Sequence, residues 1–399
     1  MSVGLLSTVN ILQDLQEVSF AQAIMRLMPN GSAPLVALTG LLKEETATNI
    51  EHGYFSKTMV FPSGTANAHL IGDTVITFSS GGTHIAVGDL LLNENTNEIM
   101  LVTAVTSPTA ITVQRAAGST AAAAIGAGNN LRTVGNAFEQ GSNRPAAINI
   151  LATRHVNNTQ IFRNSWAVTK TAASIPQIAG LGQVAENKQD CAALHATAME
   201  KALFFGERFM GTRLGQPFHT MEGIIPRVRA AASGNVTLLG ATTNWTQLEA
   251  AIDPVFQTVS DPRSGNIRTA FVGGTAMRVM TNIARLNSNY QLIPEKTSWG
   301  MRISSFQTPR GVIELIEHPL FNAYGPLSPW SRMAVIVDLN AFSIAYLRKT
   351  SEDNYNARGV QVDNGIDAEG GTLTTEMTCS IKNPAAFGFI HNFTAAAAG

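Results

Sequence analysis

The sequence predicts an α+β protein of several domains, and three stretches carry this prediction. Residues 157–171, "NNTQIFRNSWAVTKT", are typical of one very long strand, residues 186–211 of one long helix, and strand and helix patterns alternate over residues 236–345. Apolar residues recur at every second position in strands and every third or fourth position in helices, which separates the two. Because 399 residues exceed a typical single domain, we expect two or three domains or subdomains.

The N-terminal region predicts two helices. Apolar residues recur at helical spacing over residues 10–28, and the Pro-Asn-Gly sequence at residues 29–31 ends the pattern. This first helix fits either a core-facing element or an arm that packs on a neighbouring molecule. A second, short helix is predicted over residues 33–45.

Residues 69–135 predict a small β subdomain. Short strand-like runs, "DTVITF", "DLLLN", "EIMLVTAV" and "AITVQR", are separated by turn-forming residues such as Ser-Ser-Gly-Gly at residues 79–82. The stretch "AAGSTAAAAIGAGNN" that follows is rich in small residues, and we expect it to form the loop that closes the subdomain.

The long strand of residues 157–171 has two mixed faces. Ile161, Arg163 and Ala167 alternate with a second set that consists of Phe162, Trp166, Val168 and Lys170. At about 3.3 Å per residue the run would extend on the order of 45 Å, which is long for a strand. Two interpretations remain open: a ribbon that lies across a neighbouring subunit, or an edge strand folded onto its own domain.

A long helix and a mixed domain follow the ribbon. Apolar residues from Cys191 to Phe209 share one side of the helix, which we expect to end at Gly211 after about 38 Å. Further on we expect a helix over 245–259 capped by Asn244, a strand "RTAFVGG" and a helix over 275–286. From residue 348 the chain is again typical of β-structure, with a long hairpin strand in "LTTEMTCSIKNPAAFGFIHNF".

The composition is low in charge. Only 14% of the residues are charged and the formal net charge is -1, whereas soluble proteins average about 25% charged residues. A surface with so few charges suits coverage by neighbouring molecules, and it gives no global footprint for nucleic acid.

Two cysteines cannot form a disulfide framework, which fits a reducing compartment. We find no secretory signal and no membrane-spanning run.

Candidate chemical motifs are few. Gly180 and Gly182 have the spacing of a dinucleotide fingerprint, but Pro176 interrupts the segment before them, where a buried strand would be required. Glu314, Glu317 and His318 are best interpreted as a strand end with a solvated charge pair. The eight histidines show no metal-ligand spacing. We therefore expect no catalytic residue, no metal and no cofactor.

The order of these parts resembles a known family. The stretches "PNGSAPLVALTGLL", "EIMLVTAV", "NNTQIFRNSWAVTKTA", "ALHATAMEKALFFGERFMGT" and "AFVGGTAMRVMTNI" occur in an order similar to that of the major capsid proteins of tailed double-stranded DNA bacteriophages, which have the Hong Kong 97-like fold. The subgroup with a β insertion in the extended loop is the most similar. One departure is Ala116, where the family resemblance implies a glycine directly after Arg115.

The resemblance implies four regions and a set of partners. Residues 1–56 would form an N-terminal arm, 57–175 the extended loop with its β insertion, 176–235 and 346–399 the peripheral domain, and 236–345 the axial domain. The protein would assemble with itself into hexamers and pentamers of an icosahedral head, in the host bacterial cytoplasm. Portal, scaffold or cement proteins and packaged double-stranded DNA would be its other partners, with no membrane. Intersubunit contacts would come from Ile161, Phe162, Arg163, Trp166, Val168 and Lys170.

Two other functions remain as alternatives to the capsid protein that we favour. A nucleotide-binding enzyme would use the turn at Gly180 and Gly182 and would bind a cofactor as a small oligomer. A glycan-binding virion or cell-surface protein would use the β subdomain of residues 69–135.

Overall fold

The structure is a computed structural model that describes residues 28–30, 34, 36–57, 59–145, 147, 149–177, 181–258, 266–286, 293–298, 301–355 and 367–397. The helices in these ranges are α1 Ala37–Leu41, α2 Lys170–Ser174, α3 Gln183–Phe205, α4 Ile224–Ala231, α5 Trp245–Ile252, α6 Gly274–Leu286 and α7 Pro319–Asn322. The helix predicted over residues 10–28 lies outside the described residues apart from its last residue.

The described strands are more numerous than the helices. In chain order they are β1 Lys43–Thr46, β2 Glu51–Ser56, β3 Ser63–Ala66, β4 Val75–Gly81, β5 Asp89–Asn93, β6 Ile99–Ser107, β7 Ala110–Gln114, β8 Asn130–Asn136, β9 Thr153–Asn158, β10 Gln160–Thr169, β11 Phe209–Arg213, β12 Gln216–Thr220, β13 Val236–Leu238, β14 Ile267–Val272, β15 Ile293–Ser298, β16 Met301–Thr308, β17 Gly311–Glu317, β18 Met333–Val337, β19 Phe342–Tyr355, β20 Ala368–Ile381 and β21 Gly388–His391.

The chain divides into two compact units. The barrel unit is Phe55–Arg154, and the main unit combines Met1–Tyr54 with His155–Gly399. The sequence analysis placed the end of the extended loop at residue 175. In the structure β10 pairs along its whole length with β20 and belongs to the main unit.

The barrel unit contains a closed six-stranded barrel with the strand order β3-β4-β7-β6-β5-β8. Buried and more exposed residues alternate along its strands, because every second side chain points inward. The interior is filled by fully buried apolar residues that include Ile76, Leu91, Met100 and Ile111. Closure of the barrel leaves no open sheet edge between its first and last strands.

The small-residue loop after β7 is held to the barrel by one buried ion pair. Arg115 donates to both carboxylate oxygens of Glu98, through Nε at 2.8 Å and Nη2 at 2.7 Å. Glu98 also accepts the backbone N–H groups of Ala116 and Ala123. Ala116 has a φ of 50°, which is the left-handed conformation that favours glycine. The departure noted in the sequence therefore falls at a turn position where a glycine would be less strained.

The main unit is built on two larger sheets. A four-stranded sheet has the order β1-β19-β20-β10, and a seven-stranded sheet has the order β13-β21-β18-β14-β17-β16-β15. The C-terminal strand β21 lies inside the second sheet between β13 and β18. Strands from residues 236–345 and from residues 346–399, which the sequence analysis placed in separate domains, thus share one sheet.

The seven-stranded sheet is buried on both faces. Along β18, Met333, Val335 and Val337 contribute to one apolar core, while Ala334 and Ile336 contribute to the other. The first core also contains the C-terminal half of α3 together with α4, and the second contains α5 and α6. Alternation in a continuously apolar strand thus produces two cores from one sheet.

Several predicted helix ends are corrected by the structure. The long helix ends at Phe205 instead of Gly211, because Gly206 leaves the helical conformation with a ψ of 140° while its N–H still donates to the Ala202 carbonyl oxygen. The helix predicted over residues 245–259 ends at Ile252, where Pro254 starts a short 3-10 turn. The helix predicted over residues 33–45 is limited to α1, since β1 follows it and pairs with β19.

Candidate intersubunit surface

The strand β10 carries all but one of the predicted contact residues, and it presents them on two different faces. Phe162, Trp166 and Val168 are only 6%, 5% and 7% exposed. Ile161 is 45% exposed, and Arg163 on the same face is exposed as well. The structure therefore separates the predicted set into a face covered within the chain and a face open to solvent.

The buried face of β10 lies against helix α3, while β20 is its hydrogen-bonded neighbour within the sheet. Phe162 belongs to the first apolar core of the main unit. Trp166 donates through Nε1 to Glu352 at 3.2 Å, and Lys188 of α3 places its Nζ 6.0 Å from the indole ring. We expected a neighbouring subunit to bury these aromatic side chains, but in the single chain they are already buried within the main unit. For this face, the burial favours the interpretation as an edge strand folded onto its own domain.

Polar contacts join α3 to this sheet near its middle. His195 is 2% exposed, and its two ring nitrogens lie 2.9 Å from the Asn164 Oδ1 and 2.8 Å from the Thr375 Oγ1. Burial lowers the pKa of His195 below its ordinary value, since a charged imidazolium would lose its hydration there. Helix and sheet are thus matched by specific hydrogen bonds as well as by apolar packing.

The outer edge of β10 has no strand partner among the described residues, because β10 is the last strand of its sheet. Asn187 donates to the carbonyl oxygen of Ala167, which shows that this backbone oxygen points away from β20. In an antiparallel strand the direction of the backbone polar groups alternates from residue to residue. The polar groups of Ile161, Arg163 and Ser165 therefore also point toward the open edge.

Lys170 lies outside the strand and begins helix α2. Its Nζ is 3.4 Å from the Asp367 carboxylate, and both side chains are mostly exposed, at 60% and 74%. An exposed pair of this kind contributes little to stability. Lys170 is therefore accessible on the surface of the main unit.

A buried carboxylate that the sequence analysis missed joins helix α1 to the rest of the main unit. Glu200 of α3 is fully buried and accepts the N–H groups of Leu38 at 2.6 Å and Thr39 at 2.9 Å, as well as the Thr39 hydroxyl. His318 Nε2 lies 3.1 Å from the same carboxylate, and His318 Nδ1 accepts the N–H of Leu320. We name this arrangement the Glu200 clamp.

The Glu200 clamp also corrects the prediction for His318. The histidine is fully buried, not part of a solvated charge pair. Since its Nδ1 accepts a hydrogen bond, the proton lies on Nε2 and is donated to Glu200. Three segments that are distant in the sequence are thus joined at one carboxylate: α1, α3 and the start of α7.

The barrel unit exposes apolar side chains where its chain enters and leaves. Phe55 is 72%, Met59 75%, Phe61 75% and Leu151 79% exposed. A groove of about 690 Å³ lies on the barrel between β6 and the segment after β8, and it is lined largely by apolar residues such as Val87, Val105 and Phe138. Exposed apolar surface of this kind is typical of sites that contact another molecule.

The nucleotide alternative finds no support in the geometry around Gly182. Gly182 precedes α3 directly, with a φ of 99°, but the preceding described element is the short helix α2 and not a strand. Gly180 lies outside the described residues. No described helix is both long and apolar enough to cross a membrane.

Comparison with known proteins identifies the family. A family model described as SU10 major capsid protein matches residues 7–394. The major capsid protein of Pseudomonas phage PaMx41 is 38% identical over 395 residues, which is 96% of this chain and 93% of that protein.

Solved structures with a similar course of the chain have much lower sequence identity. A chain from Mycobacterium phage Bobi is 8% identical with a TM-score of 0.48, covering 98% of this chain and 99% of that chain. The holo-SrpI encapsulin complex from Synechococcus elongatus PCC 7942 is 9% identical with a TM-score of 0.49, covering 98% of this chain and 96% of that chain.

The resemblance to phage major capsid proteins, inferred from the order of the sequence stretches, is confirmed by the family match and the PaMx41 relative. The predicted α+β class is confirmed by the helices and strands that the structure describes. The chain belongs to the SU10 major capsid protein family, and its function is that of a phage major capsid protein.

Proposed function

We propose that this protein assembles with itself into hexamers and pentamers of an icosahedral head that encloses double-stranded DNA. The observation that carries the proposal is the exposure of Phe55, Met59, Phe61 and Leu151, which are all more than 70% exposed in the isolated chain. Exposed apolar side chains that lie close together are characteristic of surfaces that a partner covers, and three of these four lie within residues 55–61. In a major capsid protein the most abundant partner is another copy of the same chain.

The contact set is revised by the positions of the six predicted residues. Ile161, Arg163 and Lys170 remain candidates for contact with a neighbouring subunit, because they are exposed. We assign Phe162, Trp166 and Val168 to packing within the subunit instead. The open edge of β10 adds backbone donors and acceptors that a neighbouring segment can pair with.

We further propose roles for the two units. The barrel unit corresponds to the extended loop with its β insertion, now bounded at residues 55–154. The main unit combines the peripheral region around α3 with the axial region around the seven-stranded sheet. Residues 1–27, which precede the described part of the chain, would complete the N-terminal arm.

Contacts with DNA, by this proposal, are non-specific and weak. A net charge of -1 over 399 residues provides no excess of cations to hold phosphates. Assembly would take place in the host bacterial cytoplasm, with a portal protein and with scaffold or cement proteins where the phage encodes them. We propose no catalytic role for the chain.

Electron microscopy and sedimentation of the recombinant chain test this function, with the chain expressed alone and together with its neighbouring genes. Closed shells, or rings of five and six subunits, are the expected result. A stable monomer or dimer under both conditions would refute the proposal. The variant Phe61→Ser should fold but assemble poorly, whereas the matched control Phe61→Leu, which keeps an apolar side chain, should assemble.

A further inference from the structure

The hairpin of β11 and β12 ends in an unusual turn. Its two strands are joined by Leu214 and Gly215 alone, and Arg213 pairs with Gln216 across the turn. Both turn residues have positive φ, at 53° for Leu214 and 75° for Gly215. Positive φ at both central positions defines a type I′ turn, in which Asn-Gly and Asp-Gly are the favoured sequences.

Leucine is a poor choice for the folding of this turn. A side chain with a Cβ is strained in the left-handed conformation, and leucine lacks the short polar side chain that lets Asn and Asp tolerate it. Leu214 is also 95% exposed, so it gains no apolar contact within the chain in return. Leu214 therefore combines backbone strain with an apolar side chain that is exposed to solvent. Such a combination indicates that the side chain has a function outside the folding of the turn.

The strands behind the tip carry more exposed apolar side chains. Phe209 is 56%, Met210 58% and Phe218 40% exposed, even though the two phenyl rings pack against each other with centroids 5.8 Å apart. Gly211 lies beneath Phe209, because a Cβ there would come within 2.6 Å of the ring. Exposed apolar side chains thus lie on both faces of the hairpin, with Phe209 and Phe218 on one face and Met210 on the other.

The base of the hairpin is fixed to the start of β10. The His219 ring donates to the Thr159 carbonyl oxygen, and the N–H of Met221 donates to the side chain of Gln160 at 3.2 Å. Arg208 Nε donates to Asn158 at 3.1 Å. These bonds hold the base of the hairpin beside the start of β10.

We propose that this hairpin docks onto a second copy of the chain and that the Leu214 side chain is buried in that contact. The inference rests on the proposed self-assembly and specifies one of its contacts. The charge of the hairpin favours a protein partner over nucleic acid: Arg213 is the single charged residue in Phe209–Thr220 when histidine is neutral, whereas phosphate binding requires several basic side chains. A shell subunit is surrounded by other copies of itself, so we propose a second copy of the chain as the binding partner of the hairpin.

The decisive variant is Leu214→Asn, because it separates folding from docking. Asn-Gly is better suited than Leu-Gly to this turn, so the unassembled Leu214→Asn subunit should be as stable as the wild type or more stable. Its assembly should weaken, since loss of one buried leucine weakens each contact by about tenfold or more. The matched control Leu214→Met keeps both the strain and the apolar side chain, and it should assemble like the wild type.

The readouts are thermal unfolding of the unassembled subunit and the protein concentration required for half of the chain to sediment as shells or rings. A Leu214→Asn subunit that folds normally and assembles at the wild-type concentration overturns the inference. Phe218→Thr, which preserves strand propensity, is expected to raise the required concentration in the same way. If the wild type itself fails to assemble, the proposed function fails, and this outcome is distinct from assembly of wild type and variant alike.

Discussion

Replacement of Glu200 by glutamine is expected to destabilise the main unit by about 3 kcal/mol. One carboxylate oxygen accepts the Leu38 N–H and the proton of His318, and the other accepts the N–H and the hydroxyl of Thr39. A glutamine has a single oxygen, so its NH2 group must face one of these two pairs of donors. The oxygen should stay with Leu38 and His318, because the Thr39 hydroxyl can rotate and accept from the new NH2 group.

The magnitude follows from what that arrangement loses. The Thr39 N–H is left without a partner, which costs about 1–3 kcal/mol for a buried donor. The two bonds that remain are no longer charge-assisted, and each weakens by about 1 kcal/mol. Neutralising the buried charge recovers part of its desolvation, so we take about 3 kcal/mol as the net loss. That is a large share of the stability of roughly 5–15 kcal/mol typical of a folded domain.

Urea unfolding of the unassembled subunit, followed by tryptophan fluorescence, measures this loss. All four tryptophans of the sequence lie outside Phe55–Arg154, so the signal reports on the main unit alone. The control is Glu207→Gln, an exposed carboxylate just after the end of the same helix, for which a change within about 0.5 kcal/mol is expected. A loss below about 1 kcal/mol for Glu200→Gln would refute our account of the Glu200 clamp.

Three further predictions concern the stability of the main unit. Burial lowers the pKa of His195. The contribution of the neutral imidazole to the free energy of unfolding is therefore complete above about pH 6.5 and is lost as the pH falls below that value. The urea midpoint of the wild type should drop on acidification, and that of His195→Gln should drop less. Gly223→Ala should destabilise by about 1–3 kcal/mol in urea unfolding, because the new Cβ would lie 2.6 Å from the Ala202 carbonyl oxygen; Gly234→Ala, with open space around it, should be nearly neutral. Asn244→Ala removes the capping box of α5 and should lower the unfolding free energy by about 1 kcal/mol; an unchanged value would mean that the cap is dispensable.

The spacing of apolar residues and the local composition were sufficient to predict the features that depend on nearby residues alone, such as the two faces of β10 and the cap of α5. The alternation in β10 correctly separates Phe162 and Trp166 from Ile161 and Arg163, and Asn244 caps α5 as expected. The alternation shows which residues share a face but not what covers that face. In β10 the covering element is α3, and the strand that pairs with β10 is some two hundred residues away in the sequence. No local pattern specifies either of these contacts.

The Glu200 clamp and the hairpin tip show two further reasons why the sequence is incomplete. Glu200 stands in "HATAMEKALFF" like any helical glutamate, and most of its donors are backbone N–H groups or a distant histidine, so no motif announces its burial. The turn at Leu214 has a glycine only at its second position, and the preceding leucine suggests a strand instead of a turn. In both places the tertiary structure overrides the local preference.

The entry and exit of the barrel unit lie side by side. β2 and β9 pair with each other, the rings of Tyr54 and His155 are stacked with centroids 5.1 Å apart, and Gly53 allows the close approach because a Cβ there would lie 2.3 Å from the His155 carbonyl oxygen. An insertion whose two ends meet places little demand on the host fold. The barrel is therefore an insertion whose sequence can diverge, or be replaced by another domain, while the paired strands β2 and β9 remain as the attachment points in the surrounding fold.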